Sequence, residues 1–375
     1  TILWNADVTA AMVGISLGDQ SGVAGLELPK YASRVLLIGQ AFIAFSAILT
    51  YFSRRHKQLY PSTWYLIASL VAFPWIIGTA HWLLVEAPVR GAAQIPLGHW
   101  AATSLVQIWL GCIGLAAVIY FIPKIIQREL YSRQWTFLGF WMLLLLGGWV
   151  NLNSGAPLPV WQIKLSQLAS GFFLLVVIAV SWNLRQTLKG VPLLSSEDLT
   201  LRFMGFALSA WIVAGLLTFC NVCPSWNAIL QFTYANTAIR HLFAWGFFAM
   251  SMIGAVYYVA PRLIGPTLDW PCARIYHWIY RFIAVGVVIV VLAGVGMAYR
   301  HGLALQSTGI EREVLQSRAL MPMRAAFLGE VLFLVGSLIF LGSMLCLLAR
   351  NCCGECSLMS LWHQCRSTKV EGGAK

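Results

Sequence analysis

The chain has 375 residues, of which 59% are hydrophobic and only 10% are charged, so it has too few polar side chains to cover a soluble globule. Its formal net charge of +12 would suggest nucleic acid as the partner of a soluble protein, but in a membrane protein basic residues mark the loops of the inner side. The composition therefore predicts a polytopic membrane protein and argues against nucleic-acid binding.

Apolar stretches of spanning length follow one another along residues 33–350 and predict an all-α transmembrane helix bundle of about nine spans, with 134–150 the weakest. The predicted spans are 33–52, 62–85, 98–123, 134–150, 161–183, 201–220, 237–260, 277–299 and 322–349. Residues 1–32 are interpreted as a truncated helix or outer-side segment; no signal peptide is visible, and the missing initiator methionine implies that residues precede them. Residues 351–375 form a cysteine-rich tail.

Basic residues alternate between the loops and predict the orientation of the bundle. They follow the first, third, fifth, seventh and ninth spans, among them Arg54, Lys124, Arg185, Arg262 and Arg350. The joints 151–160 and 221–236 carry no charge. By the positive-inside rule, the odd-numbered spans and the C-terminus end on the cytoplasmic side. The alternation also supports the weak span 134–150, because without it the basic loops before and after this stretch would lie on opposite sides of the membrane.

Polar residues of three spans are predicted to lie in the outer third of the bundle. His99 opens the third span, Asn151 and Asn153 close the fourth, and His241 lies about one turn inside the seventh. We therefore expect these side chains to share a pocket. His81 lies near the outer end of the second span and is interpreted as a structural histidine with a hydrogen-bonding partner.

His241 is the residue most suggestive of a cofactor, because a histidine in a membrane helix is costly and usually faces a partner or a ligand. Haem iron takes an axial imidazole from a rigid helix, and Gly246 would let a flat macrocycle approach. The competing interpretation is a buried histidine bonded to a backbone carbonyl. His99 lies at the end of a span, and the competing interpretation for it is an interfacial side chain in contact with water or headgroups.

Several cysteines have no assigned role. For Cys220 and Cys223, on the outer side, a disulfide and two free thiols both stay open. The tail holds a loose set of soft ligands whose spacing fits no standard zinc pattern: Cys352, Cys353, Cys356, His363 and Cys365. Acylation or simple reduction is the alternative there.

Two stretches carry a family resemblance. The first consists of Asn227-Ala228, Thr233, Thr237, His241, Gly246 and Tyr257-Tyr258-Val-Ala-Pro261-Arg262-Leu-Ile-Gly265. The second consists of Gly98-His99-Trp100, Tyr120-Phe121-Ile122-Pro123-Lys124, Leu130-Tyr131-Ser132 and Gly139-Phe140-Trp141. They resemble the tenth and the sixth helix, with its exit into the seventh, of subunit I of the C-family, or cbb-type, haem–copper oxidases. The resemblance covers about residues 30–350, which would correspond to helices four to twelve of a twelve-helix subunit.

The departures from that family concern its metal centres. The family's tenth helix carries His-x-His, and residues two apart on a helix differ by about 200°, so the two rings hold different haems. Ile239 stands at the first position, which implies that the axial ligand of the high-spin haem is missing, while His241 matches the ligand of the low-spin haem b. His99 matches the copper ligand of the sixth helix, but residues 150–153 replace the His-His pair of the seventh, so copper binding is not expected.

The resemblance therefore implies a degenerate subunit I of a respiratory or other electron-transfer complex in a bacterial or organellar inner membrane. Such a subunit would bind at most one low-spin haem b through His241, would have no catalytic residue of its own and would not reduce oxygen. The opposite axial histidine lies on the family's second helix, so we expect a partner chain that supplies the first helices. Other membrane subunits, a cytochrome c subunit and the lipid bilayer are the further partners.

Three alternatives remain. The chain would be a haem-free scaffold if His241 hydrogen-bonds to a neighbour. It would be an active terminal oxidase if His81 and His99 contribute to a rebuilt metal site. It would be a secondary transporter if Lys164 or Glu330, the main charged residues inside the spans, take part in a relay.

Overall fold

A computed structural model describes residues 2–23, 26–54, 58–152, 155–191, 198–264, 273–306 and 312–352, and these residues form helices joined by short loops, with no strand among them. The α-helices are α1 (Ile2–Ser16), α2 (Lys30–Phe52), α3 (Pro61–His81), α4 (Gln94–Ser104), α5 (Gly111–Ile125), α6 (Arg133–Leu146), α7 (Val160–Thr187), α8 (Leu199–Cys220), α9 (Pro224–Leu230), α10 (Ala235–His241), α11 (Met250–Ile264), α12 (Ala273–Gln306) and α13 (Arg312–Cys352).

Eight helical stretches of the described ranges are long and apolar enough to cross a membrane, and each overlaps a predicted span. The predicted span 134–150 corresponds to α6, which has 14 residues, followed by a 3₁₀ turn of three residues at Gly147–Trp149. That length is at the lower limit of about 17 residues for a spanning helix. The predicted all-α transmembrane bundle is confirmed.

Two of the spans contain a π-helix in their interior. Leu105–Leu110 joins α4 to α5, and Leu242–Ala249 joins α10 to α11 directly after His241. π-Helical turns are rare and frequently occur at functional sites. The two spans pack against each other closely, because a Cβ atom on Gly114 would lie 2.7 Å from the ring of Phe247. Neither π-helix was predicted from the sequence.

A cluster of buried aromatic rings forms the centre of the bundle. Trp211 of α8 lies 5.5 Å from Phe243, 4.9 Å from Phe247 and 5.9 Å from Phe173, measured between ring centroids. All four side chains are fully buried. Phe243 follows Ile239 by four residues, and Ile239 is itself 4% exposed. The interior face of the seventh span is therefore occupied by apolar side chains.

Arginines at one end of the bundle bind backbone carbonyls of neighbouring segments. Arg128 donates from Nη1 to the carbonyl of Lys189 at 2.7 Å, and Arg133 donates from Nη2 to the carbonyl of Leu59 at 2.8 Å. The ends of α3, α5, α6 and α7 meet here, and we call this the basic end. The opposite end contains His99 and Asn151, which meet in one cavity.

Asn183 ties the start of α6 to α7. Its Nδ2 donates to the carbonyl of Ser132 and to Oγ1 of Thr136, both at 2.8 Å, and its Oδ1 accepts from the amide of Ser132 at 2.9 Å. We expect Asn183→Leu to lower the midpoint of thermal unfolding in detergent, at a cost of about 1–3 kcal/mol, because buried partners lose their hydrogen bonds. Gln186→Leu, one turn further along α7, is the matched control. Equal shifts in both variants would contradict the expectation.

Helices α12 and α13 approach each other through glycines. A Cβ atom on Gly329 would lie 2.7 Å from the carbonyl oxygen of Gly286, and one on Gly286 would lie 2.7 Å from the amide nitrogen of Phe333. Only 17% of the most apolar stretch of the last span is buried inside the bundle. The rest of α13 faces outward, and Glu330, next to Gly329, is exposed within this apolar stretch.

Candidate functional site

A small polar cavity lies where the third and seventh spans meet the end of the fourth. Its volume is about 20 Å³, which is enough for about one water molecule. It is lined by His99, Thr103, Gln107, Asn151, Asn236, Ile239 and Arg240. The prediction that His99 and Asn151 share a pocket is therefore confirmed, whereas Asn153 lies outside the described residues. Four lining residues were not predicted from the sequence: Thr103, Gln107, Asn236 and Arg240.

His99 points into the bundle. Its Nε2–H donates to the carbonyl of Val150 at 2.7 Å, and Oγ1 of Thr103 lies 3.4 Å from the same nitrogen. The interfacial interpretation, a side chain in contact with headgroups at the surface, gains no support from this contact. The carbonyl at the end of the fourth span is within reach because the chain leaves helical geometry there, and Val150 has extended backbone angles.

A network of asparagine amides surrounds the same region. Nδ2 of Asn221 donates to Oδ1 of Asn151 at 3.2 Å and to Oδ1 of Asn236 at 3.4 Å. Nδ2 of Asn236 donates to the backbone carbonyl of Asn151 at 3.3 Å, and Nδ2 of Asn227 donates to the carbonyl of Asn221 at 2.9 Å. The network connects the end of the fourth span with α8, α9 and α10. The buried amides thus pair largely with one another, while Oδ1 of Asn221 has no hydrogen-bond partner among the described residues.

The donor set of this cavity does not fit a copper ion. Copper sites in proteins use several imidazole or thiolate ligands, whereas here one imidazole is accompanied by amides and by the cation of Arg240. Within the part of the chain that the structure describes, no group of three or more His, Cys, Asp or Glu residues could hold a metal ion. Oε1 of Gln107 is buried without a hydrogen-bond partner, which is a place for a water molecule.

His241 does not line this cavity, contrary to the prediction of a shared pocket. Its ring stacks on Trp245 with centroids 4.4 Å apart and an interplanar angle of 7°, and Trp245 stacks on Phe333 of α13 at 4.8 Å. Glu330 of α13 is the carboxylate that acts electrostatically on His241. Helix periodicity explains the difference, since Ile239 faces the interior and a residue two positions later faces nearly the opposite way.

The imidazole of His241 has the properties of an available axial ligand. It is half-buried on the flank of the bundle, and neither ring nitrogen hydrogen-bonds to another of the described side chains or backbone groups. A rigid helix carries it, and two flat rings, Trp245 and Phe333, stack in sequence beside it. These residues fit one axial position of a haem, and a second ligand would come from outside the described residues.

The structure corrects the interpretation of Gly246. A Cβ atom at this position would lie 2.8 Å from Leu242, 3.0 Å from Ala210 and 3.2 Å from Val287. Gly246 therefore lets the seventh span approach α8 and α12 rather than a macrocycle. An apolar pocket of about 420 Å³ lies against Ile239, and no histidine lines it.

His81 is paired with a carboxylate, as predicted for a structural histidine. Its Nε2 lies 3.0 Å from Oε1 of Glu86, which also binds Arg34. Because Glu86 engages His81 while Val150 engages His99, the two histidines have separate surroundings, and the expectation that they rebuild one metal site gains no support. Cys220 and Cys223 are free and exposed. Residues 353–375, and so most of the predicted tail ligands, lie outside the described residues.

The chain belongs to the family described as cytochrome c and quinol oxidase polypeptide I, whose family model matches residues 3–350. It is a divergent, membrane-embedded, oxidase subunit I-like protein. The predicted membership in the haem–copper oxidases is thereby confirmed.

Curated relatives from bacteria share about a quarter of their residues with this chain. The cbb3-type cytochrome c oxidase subunit CcoN1 of Stutzerimonas stutzeri is 26% identical over 284 residues, covering 70% of this chain and 57% of the relative. Cytochrome c oxidase subunit 1 of Rhodobacter capsulatus is 23% identical over 306 residues, covering 76% and 56%. The cytochrome c oxidase subunit 1 homolog of Azorhizobium caulinodans is 25% identical over 363 residues, covering 90% and 64%. The chain thus spans less than two thirds of these relatives.

Proposed function

We propose that this protein is an electron-transfer subunit derived from oxidase subunit I, which holds one low-spin haem b through His241 together with a partner chain and does not itself reduce oxygen. A bound haem b would supply reversible one-electron transfer. His241 would provide one axial imidazole, and the helix that carries it would fix the orientation of the ring. The subunit would lie in an energy-transducing inner membrane, with its basic end on the cytoplasmic side.

The observation that carries this proposal is the position of His241 on an incompletely covered face. In a membrane, a half-buried histidine and an exposed glutamate at lipid depth are costly unless another protein segment covers them. His241 and Glu330 interact with each other and lie on neighbouring spans, so a single partner helix would cover both. Such a helix is also where the second axial ligand would come from, which supports a haem shared between two chains.

The proposal that oxygen is not reduced here rests on the opposite face of the same helix. Ile239 and Arg240 line the polar cavity that contains His99. An isoleucine cannot ligate haem iron, and a guanidinium beside the single imidazole disfavours a divalent cation by charge repulsion. Amides replace the further imidazoles that copper would need. Copper and a high-spin haem are therefore not part of the proposed function.

Spectroscopy of the purified complex tests the haem. We expect a pyridine haemochrome assay to give one haem b per copy of this subunit beyond the haems of its partners. Reduced-minus-oxidised spectra should show a b-type signal that does not change with carbon monoxide, because both axial positions would be filled. If no haem b is attributable to this chain, its function would be that of a scaffold. His241 would then be a structural residue that stacks on Trp245.

Metal content and oxygen consumption test the absence of catalysis. We expect elemental analysis of the purified complex to give copper well below one atom per copy of this subunit after dialysis against a weak chelator. Cyanide-sensitive oxygen consumption should not depend on the chain, and Arg240→Val, which removes the cation from the cavity, should not create it. Stoichiometric copper that is lost in His99→Ala would show instead that a rebuilt metal site exists.

A further inference from the structure

A large hollow opens at the basic end of the bundle, remote from the polar cavity and from His241. Its volume is about 930 Å³. Four basic side chains line it, from the end of α5, the loop that follows it, the start of α6 and the end of α11: Lys124, Arg128, Arg133 and Arg262. One acidic residue, Glu129, lines it as well. The hollow is thus strongly biased towards an anionic ligand.

The four cations have no carboxylate partners within the described part of the chain. Neither ion pair found there involves them, since both are formed by Glu86 at the other end of the bundle. Three of them are instead held by backbone carbonyls. Arg128 binds the carbonyl of Lys189, Arg133 binds that of Leu59, and Arg262 binds that of Tyr258 at 2.6 Å. Carbonyl groups orient the guanidinium groups without neutralising them, so the positive charge stays available.

Aromatic side chains complete the wall and give it the character of a membrane interface. Tyr60, Tyr120 and Tyr258 line the hollow, with the rings of Tyr60 and Tyr120 in edge contact at 5.9 Å. The guanidinium carbon of Arg262 lies 3.4 Å above the ring of Tyr258. Tyrosine is enriched where membrane and water meet, because its ring is apolar and its hydroxyl is polar.

We propose that this hollow binds the headgroup of an anionic phospholipid that carries two phosphodiesters. Basic pockets between membrane helices at the inner surface are suited to such headgroups, and each Lys or Arg that lies against the headgroup contributes about a five-fold gain in affinity. Four cations against the single carboxylate of Glu129 still exceed the charge of one phosphodiester, and the volume admits more than one phosphate. A headgroup also places its acyl chains against the span ends, which a soluble phosphate does not.

Native mass spectrometry of the purified intact complex, delipidated and titrated with defined lipids, tests the proposal. We expect diphosphatidylglycerol to bind more tightly than phosphatidylglycerol, and phosphatidylcholine to bind weakly. Lys124→Gln combined with Arg262→Gln should weaken diphosphatidylglycerol binding by roughly 25-fold, about five-fold for each cation. Arg54→Gln, an exposed arginine at the end of α2 that does not line the hollow, is the matched control and should leave binding unchanged.

Three results would contradict phospholipid binding at this hollow. Equal binding of phosphatidylcholine, or an equal loss in Arg54→Gln, would overturn the proposal. Displacement of the lipid by millimolar inorganic phosphate would show a site for a soluble anion and would overturn it too. Lys124→Gln alone serves if the double variant does not fold, because Lys124 makes no side-chain hydrogen bond to the described residues; about a five-fold loss is then expected.

Discussion

Replacement of His241 by alanine is expected to remove the proposed haem b of this subunit from the purified complex. In the proposed site the imidazole of His241 would be one axial ligand, and alanine would leave that coordination position empty. The haem-to-protein ratio should fall by one haem b per copy, and the corresponding b-type signal should vanish from the reduced-minus-oxidised spectrum. Because His241 is half-buried on the flank of the bundle, its removal leaves no closed cavity in the core, and the complex should still assemble.

His99→Ala is the matched control for that experiment. Both residues are histidines at the same end of the bundle, but His99 lies in the polar cavity and bonds to the carbonyl of Val150. We expect His99→Ala to lower thermal stability, since that carbonyl loses its donor, and to leave the haem content unchanged. Loss of haem in both variants would indicate a general effect on folding. An unchanged haem content in His241→Ala would contradict ligation by His241.

Gly329→Val is expected to be among the most disruptive single substitutions in the described residues. The added side chain would start 2.7 Å from the carbonyl oxygen of Gly286 and 2.9 Å from the amide nitrogen of Val290, so two backbones would have to separate. Overpacking of this kind costs about 1–3 kcal/mol, and close backbone approach is what holds membrane helices together. The midpoint of thermal unfolding should fall accordingly.

The same substitution should also affect the proposed haem site. Phe333 and Glu330 are carried by α13 next to His241, so a shift of that helix changes the surroundings of the proposed ligand. Gly342→Val on the same helix is the matched control, because nothing lies within 4 Å of a Cβ atom there. A fall in stability and haem content with Gly329→Val but not with Gly342→Val is the expected pattern. Equal behaviour of the two variants would contradict the packing argument.

Hydropathy alone predicted the helices well, because a spanning helix needs a long apolar run and this requirement is local. The start of α3 at Pro61 and of α7 at Val160 lies within a residue of the predicted boundaries. The π-helices at Leu105–Leu110 and Leu242–Ala249 were not predictable in the same way. Their extra residue per turn depends on the packing of neighbouring spans, and the local composition carries no signal for it.

For the candidate site, the depth of the polar side chains in the membrane was predictable from the sequence, whereas the direction in which each leaves its helix was predicted less well. His99 and Asn151 were expected at one depth, and they do meet. His241 does not join them, because it faces nearly the opposite way from Ile239, two residues earlier. At about 100° per residue, Ile239 and Asn236, three residues earlier, share the face that lines the cavity, whereas His241 does not. The contact of His241 with α13 depends on helix arrangement, which a single sequence does not give.

The exposed carboxylate of Glu330 has a consequence for biogenesis. An acidic residue near the centre of a spanning helix opposes insertion by about 2.5–3.5 kcal/mol, and a lone copy of this chain would carry that cost together with a half-covered histidine. Covering both by a partner helix would remove the penalty only after assembly. Orphan copies would then be the natural substrates of membrane proteolysis, and the cellular lifetime of the chain would depend on the supply of its partner.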